Sequence, residues 1–461
     1  MVIYVMHEKD TICAVSTPAG QGGIGIVRVS GVDALSLCDG ICRVAGGGAL
    51  VLAPSHTIHY GHIVEPAGGG VVDEVLITVM RAPRTYTRED VVEINCHGGV
   101  APLRRVLELL IDAGARLAEP GEFTKRAFLK GRIDLAQAEA VMDIIYARTN
   151  ASLRAANEQL GGGLSRKIAE LRERLVGVIA GVEAGVDFPD EDIETPSGGS
   201  LEKELKDFAE ELQRLVDQGL YGRVLREGIA TAIVGRPNVG KSSLLNRLLM
   251  QDRAIVTDVP GTTRDVLEEF LNIDGLAIRI VDTAGIRHTG DIVEQEGVRR
   301  SLQAIDNAEL VLMVLDGSQP LTADDRRVAD AASGKAAIAV INKSDLPRGM
   351  DVITWPEEQV ELSCRTGSGV EELRERISAL ARKGVILPQE HAWAVNQRHQ
   401  KALEQAGRSL ANALGSVHSG LSPEFVALDL RDALDHLGSV IGAIHSEDIL
   451  ERIFRDFCIG K

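Results

Sequence analysis

The 461-residue sequence lacks the features that would assign it to several specialised classes. It has no apolar run of roughly 18 residues, which a membrane-spanning helix would need. Its opening residues carry no basic segment before an apolar stretch, so no secretory signal is predicted. Its six cysteines include no C-x-x-C pair, which argues against a zinc knuckle and against a disulfide framework. We therefore expect a cytoplasmic protein that makes no use of a membrane.

The sequence also lacks an excess of basic residues. It has 67 acidic against 50 basic residues and a formal charge of -17. A polyanionic partner would therefore have to meet a local basic patch rather than the overall field of the protein. The length exceeds that of one ordinary core and favours two or three domains.

The first part of the chain predicts a small domain built on a sheet. Short runs rich in Val, Ile and Thr alternate there with Gly/Pro clusters. These runs are 11–16, 24–29, 56–64, 71–80 and 91–95. Apolar residues at helical spacing follow, in 102–113, 135–148, 164–186 and 201–215, and predict a helical bundle.

A third pattern begins near residue 229, where apolar strands each end in a polar motif. The strands are 229–234, 276–281, 310–315 and 337–341, and their alternation with helices predicts a mostly parallel α/β sheet. Helical spacing returns from about 387 to 457. That last stretch is marginal as an independent core, so we expect it to pack against the helices that precede the α/β unit.

The predicted fold is therefore multidomain, with an α+β domain, a helical domain, and an α/β domain inserted into the helical one. The predicted boundaries are 1–120 for the first domain, 121–225 and 383–461 for the two parts of the helical domain, and 226–382 for the insert.

A phosphate-binding loop is predicted where the first α/β strand ends. Residues 235–242 match G-x-x-x-x-G-K-[ST], directly after a strand and before a helix, which is the context the motif needs. Glycines let successive backbone N–H groups face the phosphates, Lys241 neutralises their charge, and the Ser242 hydroxyl ligates Mg²⁺. The predicted contacts of this loop are Asn238, Val239, Gly240, Lys241, Ser242 and Ser243.

The sequence Asn342-Lys343-Ser344-Asp345 follows the strand 337–341 and predicts the choice of base. A carboxylate at Asp345 can accept from the two N–H donors on the edge of guanine, whereas adenine lacks that paired pattern. We therefore expect GTP rather than ATP. Ser363, Cys364 and Arg365, after another short strand, would add backbone contact to the guanine oxygen.

Two further segments have the spacing of switch loops. Asp282-Thr283-Ala284-Gly285 follows the strand 276–281, so that its carboxylate can reach the magnesium through water. Thr263, in a loop about twenty residues after the phosphate-binding loop, would complete the Mg²⁺ shell. Ile286 stands where Ras-like enzymes place a glutamine that orients the attacking water. The predicted loop contacts are Thr257, Asp258, Val259, Pro260, Gly261, Thr262 and Thr263.

In combination, these motifs resemble the tRNA-modification GTPase family MnmE, also called TrmE. The likeness rests on Asn238 in the phosphate-binding loop, the segment 257–265, the hydrophobic residue after Gly285, and the terminal sequence Cys458-Ile-Gly-Lys461. Further matching segments are 10–12, 120–124, 134–140 and 187–191, so the likeness covers essentially the whole chain. It implies a folate-type N-terminal domain and a Ras-like inserted domain.

The resemblance implies a GTP hydrolase that is activated by K⁺ when two nucleotide domains dimerise. The positions that match the family's K⁺ ligands are Asn238, Thr257, Val259 and Thr262. Lys241 and Glu294 match catalytic positions, Glu294 being the acidic residue that helps orient the attacking water. From the residues alone, the favoured interpretation of Glu294 is a solvated carboxylate in a switch loop.

The resemblance also implies a one-carbon cofactor, 5-formyltetrahydrofolate or a related tetrahydrofolate. The matching positions are Arg28, Glu93, Arg132 and Lys461, and Cys458 would aid the chemistry. From the residues alone, the favoured interpretation of the first three is that each is a member of a surface ion pair. Arg132 stands where the family usually has lysine, which keeps the charge and changes the geometry.

The function that the resemblance implies is modification of C5 of the wobble uridine, U34, in certain tRNAs, with an aminomethyl or carboxymethylaminomethyl group. The chain would act as a homodimer, in a heterotetramer or larger complex with an FAD protein of the MnmG (GidA) type. The alternative is a GTP-dependent RNA-binding or ribosome-assembly factor without modifying activity.

Overall fold

The computed structural model describes residues 10–18, 20–66, 68–187, 198–252, 269–281, 301–383, 395–445, 447–455 and 457–461. These fall into two compact units. The first contains the described residues of 10–142 and 441–461, and the second those of 143–440.

The elements alternate between strands and helices in the first part of the chain. They are β1 Ile12–Val15, β2 Ile24–Ser30, α1 Ala34–Ile41, β3 Cys42–Val44, β4 Thr57–Val64, β5 Val71–Met80, β6 Val91–His97, α2 Val100–Asp112, β7 Arg116–Leu117, α3 Glu122–Leu129 and α4 Leu135–Tyr146. The remaining elements are α5 Asn150–Leu160, α6 Gly163–Asp187, α7 Gly198–Glu227, β8 Ile229–Val234, α8 Lys241–Asp252, β9 Glu269–Ile273, β10 Leu276–Val281, β11 Leu310–Asp316, α9 Ala323–Ala331, β12 Ala336–Asn342, β13 Glu358–Glu361, α10 Val370–Lys383, α11 Gln397–His418, α12 Pro423–Ile441 and α13 Glu447–Arg455.

The first unit is built on a seven-stranded sheet in the order β3-β4-β5-β6-β2-β1-β7. All its pairings are antiparallel except that between β1 and β7. Along β5, buried residues alternate with less buried ones, as expected of a strand with one face on a core. Helices α1 and α2 cover the inner face, where Leu35, Val106 and Leu110 pack with the strands.

A buried ionic network joins α3 to the sheet of the first unit. Arg126, whose side chain is 4% exposed, lies 2.9 Å from Glu122, 3.2 Å from Glu89 and 2.7 Å from Asp10. Arg116 lies 2.6 Å from Glu122. Buried charges are tolerated only when they are paired in this way, so the network fixes where α3 begins.

The second unit contains a six-stranded sheet in the order β13-β12-β11-β8-β10-β9. Only the pairing of β9 with β10 is antiparallel. Every residue of β8 and β11 is buried, as expected of central parallel strands covered on both faces. The carboxyl ends of these parallel strands meet at one edge, which is where ligands bind in such sheets.

Helices that precede and follow the α/β sheet pack against each other, as the sequence predicts for an inserted domain. Buried side chains of α7 face α11, which lies after the sheet in the chain. His418, at the end of α11, lies 2.9 Å from Glu202 near the start of α7, so the two helices run antiparallel. The domain boundaries themselves stay a prediction.

The predicted strands are confirmed, and those at 229–234, 276–281 and 71–80 have the predicted bounds. The predicted helices are confirmed at 102–113, 135–148 and 164–186, and α7 continues twelve residues beyond the predicted 215. Helix α5 and strand β9 were not predicted. None of the described helices is both long and apolar enough to cross a bilayer.

Replacement of Arg126 by Ala is expected to destabilise the protein by about 3 kcal/mol, because it leaves buried carboxylates short of a cation. Chemical denaturation of the full chain measures the loss. The matched control is Arg104→Ala, which removes an arginine that is 78% exposed and should change stability little. Equal stability of the two variants would contradict a structural role for the buried network.

Candidate functional site

Glycines at two positions shape the phosphate-binding loop between β8 and α8. Gly235 has φ +143° and Gly240 has φ +106°, both outside the range favoured by other residues. A Cβ on Gly235 would lie 2.3 Å from the carbonyl oxygen of Val314, and one on Gly240 would lie 2.2 Å from Asn342 Nδ2. The loop can therefore pack this closely only with glycine at both positions.

Lys241 begins α8 and points back across the loop. Its Nζ donates to the carbonyl oxygens of Gly235 and Arg236, each at 2.7 Å. Burial lowers the pKa of this lysine to about 8. The ammonium is thereby held against two backbone carbonyl groups at the N-terminal end of a helix, which is where a polyphosphate would be bound. Ser242 and Ser243 occupy the first turn of the same helix.

The side chain of Asn342 connects the phosphate-binding loop to the segment 363–365. Its Nδ2 donates to the carbonyl oxygen of Val239 at 2.8 Å, and its Oδ1 accepts from the backbone N–H of Cys364 at 3.1 Å. Because the side chain is 3% exposed and both of its ends are bonded, it fixes the distance between these two segments.

Lys343 is held by a carboxylate that the sequence analysis did not single out. Its Nζ lies 2.6 Å from Asp316 Oδ2, at the end of β11, and its backbone has φ +67°. The pKa of Asp316 is lowered, burial opposing the hydrogen bonds from Lys343 and Ser318 that stabilise its charge. The sequence does contain a signal for Asp316, because an acidic residue at the end of an otherwise wholly apolar strand stands out.

Asp345, the predicted base-reading residue, is positioned by Ser363 and Arg365. Its Oδ1 accepts from Ser363 Oγ at 2.6 Å, and its Oδ2 lies 3.3 Å from Arg365 Nε. The hydrogen bond from Ser363 lowers the pKa of Asp345 below its usual value, so the carboxylate is ionised at neutral pH. An ionised carboxylate accepts hydrogen bonds only, which suits the two donors of guanine.

Of the predicted nucleotide contacts, the structure brings together those at 238–243, 342–345 and 363–365. They all lie where the carboxyl ends of the parallel strands meet in the second unit's sheet. The other predicted contacts lie outside the described residues: Thr257, Asp258, Val259, Pro260, Gly261, Thr262, Thr263, Asp282, Thr283, Ala284, Gly285 and Glu294.

In the first unit, the structure brings together the four residues predicted to hold a folate. Arg28 and Glu93 are cross-strand partners on β2 and β6, and their side chains form an ion pair of 2.8 Å. The guanidinium of Arg132 lies 4.8 Å from the ring centre of Tyr86, and that of Arg28 lies 5.9 Å from the same centre. Tyr86 was not predicted, and its position between two arginines depends on tertiary contacts.

The C-terminal residues lie against this cluster. The carbonyl oxygen of Gly460 accepts from Arg28 Nη1 at 2.9 Å and from Ser16 Oγ at 3.2 Å. The carbonyl oxygen of Cys458 accepts from the backbone N–H of Gly121 at 3.3 Å. Burial and the nearby charge of Arg28 lower the pKa of Lys461, opposed by Cys458 and Glu93. The tail therefore places Lys461 within electrostatic reach of Arg28 and Glu93.

Two family models together match nearly all of the chain. The family model described as "GTP-binding protein TrmE N-terminus" matches residues 11–132, and "MnmE helical domain" matches residues 135–458. A relative from Geobacillus kaustophilus, named tRNA modification GTPase MnmE, is 47% identical over 99% of this chain and 100% of its own length. The chain belongs to the MnmE (TrmE) family. A relative of the same name from Ligilactobacillus salivarius is 47% identical over the full length of both chains.

Two solved structures are similar to about a third of this MnmE-family chain. The G domain of the T. maritima FeoB iron transporter is 25% identical, with a TM-score of 0.23, and the match covers 33% of this chain and 98% of that chain. The bacterial selenocysteine-specific elongation factor EF-Sec is 20% identical, with a TM-score of 0.25, over 34% of this chain and 29% of that chain.

The Asp345→Asn variant is expected to lose GDP affinity by about 10³-fold and to bind xanthosine diphosphate instead. An amide has one acceptor and one donor, which complement the N–H and the 2-carbonyl of xanthine. Equilibrium titration with both nucleotides measures the change. Asp351→Asn, at an exposed position in the following loop, is the matched control and should bind GDP normally. Unchanged GDP affinity in Asp345→Asn would remove this carboxylate from the base site.

GDP binding above pH 8 is expected to be coupled to proton uptake by Lys241. The lysine has a pKa of about 8 in the nucleotide-free protein, against an ordinary value of 10.5, and is protonated when it faces phosphate. Affinity should therefore fall as pH rises above 8. Calorimetry in buffers of different ionisation enthalpy should find uptake of about half a proton per GDP at pH 8. Proton-neutral binding from pH 7 to 9 would contradict the assignment.

Proposed function

We propose that this chain is a K⁺-activated GTP hydrolase that, together with an MnmG (GidA)-type flavoprotein, modifies C5 of U34 in certain tRNAs. The product would carry an aminomethyl or carboxymethylaminomethyl group. The observation that carries the proposal is the hydrogen-bonded arrangement of Asn342, Asp345 and the phosphate-binding loop in a member of the MnmE family. In this scheme GTP hydrolysis drives conformational change and does not supply the modifying chemistry.

Magnesium would be held by the hydroxyls of Ser242 and Thr263. Ser242 lies in the first turn of α8, beside Lys241, so its hydroxyl would be available to hold a metal near bound phosphates. Its hard oxygen donor is of the type that Mg²⁺ prefers. The metal would neutralise charge on the phosphates, while Lys241 binds and orients them.

Potassium would be held by Asn238 together with Thr257, Val259 and Thr262. Support for this comes from Asn238, which has a left-handed backbone with φ +62° in the phosphate-binding loop. Asparagine adopts this conformation more readily than most residues other than glycine, so it suits a tight turn beside the phosphates and leaves its side-chain amide oxygen as a candidate cation ligand. Glu294 would orient the attacking water in the absence of a glutamine after Gly285.

A one-carbon tetrahydrofolate would bind beside Arg28, Glu93, Arg132 and Lys461. The arginines suit the carboxylates of its glutamate tail, and Glu93 suits the donor edge of its pterin. Arg28 and Glu93 are only partly buried, at 16% and 22% side-chain exposure, so a ligand can reach them. Cys458, whose backbone is anchored next to this cluster, would aid the chemistry.

The partner in the homodimer would be a second copy docked through the open face of the first unit's sheet. Tyr60 and Leu76 are paired across β4 and β5, and they are 47% and 48% exposed. Ile58 and Ile24, each 66% exposed, lie on the same face by strand alternation. An apolar sheet face of this kind is typical of an interface between copies. Arg28 shares this face, so dimerisation would enclose the one-carbon site.

Two remaining parts of the proposal concern partners and location. The flavoprotein would join the homodimer in a heterotetramer or a larger complex, and tRNA would be the substrate. We place the protein in the cytoplasm, which fits the six cysteines, all of which are free thiols.

The second candidate function is a GTP-dependent RNA-binding or ribosome-assembly factor. Nucleoside analysis of tRNA from cells with and without the gene separates the two. Loss of the U34 modification, restored by the gene, is the expected result. Unchanged tRNA with altered ribosome profiles would favour the second function and would leave GTP hydrolysis intact.

Steady-state hydrolysis is expected to be at least about tenfold faster in KCl than in NaCl at equal ionic strength, because K⁺ neutralises charge that develops on the phosphates. The Asn238→Ala variant should lose this difference. The matched control, Asn246→Ala, changes an exposed asparagine on α8 and should keep it. Equal wild-type rates in the two salts would refute the cation assignment.

The Arg28→Ala variant is expected to bind 5-formyltetrahydrofolate at least about tenfold more weakly than wild type, since it loses a charge-assisted contact. It should also modify U34 poorly while it hydrolyses GTP normally. Calorimetry and nucleoside mass spectrometry measure these effects. Arg43→Ala, on the exposed edge strand β3, is the control. Normal folate affinity in Arg28→Ala would place the one-carbon site elsewhere.

A further inference from the structure

The phosphate-binding loop has a side-chain contact outside the nucleotide site. Arg236, the second residue of the loop, lies with its Nε 2.9 Å from Asp325 Oδ2 in the first turn of α9. The side chain of Asp325 is 2% exposed and that of Arg236 is 19% exposed. A buried carboxylate thus faces a cation whose backbone belongs to the phosphate-binding loop.

The first turn of α9 does not require this ion pair. Thr322 caps the helix by accepting from the backbone N–H of Asp325, and Asp325 Oδ2 accepts in return from the backbone N–H of Thr322 at 3.0 Å and from its hydroxyl at 2.8 Å. This reciprocal capping box satisfies the helix start by itself. Asp324 adds a second negative charge in the same turn. The pairing with Arg236 is therefore additional to capping.

The attraction between the two side chains is mainly one of charge. Arg236 Nε and Asp325 Oδ1 both lack an aligned hydrogen bond within the part of the chain that the structure describes. A buried carboxylate interacts strongly with a nearby cation because little water screens the pair. A neutral amide of the same shape at position 325 would keep the cap and lose most of the attraction.

The backbone of Arg236 also takes part in placing the catalytic lysine. Its carbonyl oxygen accepts from Lys241 Nζ at 2.7 Å, next to the carbonyl of Gly235. The side chain of Arg236 is paired with Asp325 of α9, while its backbone carbonyl orients Lys241. A shift of the Arg236 side chain would therefore also shift the carbonyl that orients Lys241.

We propose that Asp325 is a positioning residue for GTP binding and hydrolysis, and that it acts through Arg236 to hold the phosphate-binding loop in its binding conformation. This inference rests on the proposed GTPase function. The phosphate-binding loop would then be held by two contacts, one from Asn342 and one from Asp325 of α9. Neither side chain of the pair needs to touch the nucleotide.

The test measures GDP release from the full-length protein by fluorescence of a labelled nucleotide, with KM and kcat for GTP. Asp325→Asn and Arg236→Ala should each release GDP about five- to thirtyfold faster and raise KM by a similar factor. The double variant should release GDP no faster than the faster single variant, because both changes break one interaction. Arg236→Lys, which keeps the charge, should recover part of the effect.

Asp324→Asn is the matched control. It removes an acidic residue from the same helical turn, one that pairs with Arg327 at the surface. Its GDP release should stay within about twofold of wild type. The melting temperature of each nucleotide-free variant is also compared with that of the control, since a purely structural role would lower it and leave GDP release unchanged.

Release rates within twofold of wild type in both single variants, or additive effects in the double variant, would overturn the proposal. If Asp325→Asn fails to fold, Arg236→Ala decides, because it leaves the capping box in place, and normal GDP release by that variant overturns the proposal. Failure of the wild type to bind GDP would instead refute the proposed GTPase function.

Discussion

The carboxamide of Asn342 is the contact on which the proposed nucleotide site depends. It bonds the phosphate-binding loop at Val239 and the base-side segment at Cys364, and it approaches the loop so closely that only glycine fits at position 240. A buried amide with both ends satisfied is rigid, because leaving either end unpaired costs free energy. The separation between the phosphate and base subsites is therefore set by one side chain.

The remaining contacts extend this arrangement outward through the sheet. Asp316 ends β11 and holds Lys343, while Ser363 orients the carboxylate of Asp345. Each of these residues stands where a buried strand meets solvent, so the rigid strands fix the positions of the polar groups. Preorganised groups of this kind bind a ligand with little loss of their own conformational freedom.

In the first unit, rigid elements also fix the positions of polar groups, here at a different site. The buried network around Arg126 holds α3 against the sheet, and Tyr86 donates to or accepts from Thr124 of α3 at 2.8 Å. The Tyr86 ring is thereby placed beside Arg28 and Arg132. The C-terminal tail contacts Arg28 through the carbonyl of Gly460. A Cβ on residue 460 would lie 2.5 Å from the carbonyl oxygen of Val15. Glycine at position 460 is thus required by packing as well as by family resemblance.

The sequence sufficed to predict those parts of the structure that depend on local pattern. The buried strands β8 and β10 are short, largely apolar runs that end in recognisable motifs, so their bounds could be predicted. Helix α5 is rich in small and polar residues and β9 is short, so neither shows a clear periodic spacing of apolar residues. Tyr86 and the Arg236–Asp325 pair act through partners distant in the sequence, which no local pattern reveals.

The central claim is that the edge of the second unit's sheet binds guanine nucleotides selectively. Its most direct test is equilibrium binding of GDP and ADP to the purified full-length protein under identical conditions. The carboxylate of Asp345 predicts that ADP binds at least about 10³-fold more weakly than GDP, since adenine leaves its acceptors unpaired. Similar affinities for the two nucleotides, or no binding of either, would contradict the account.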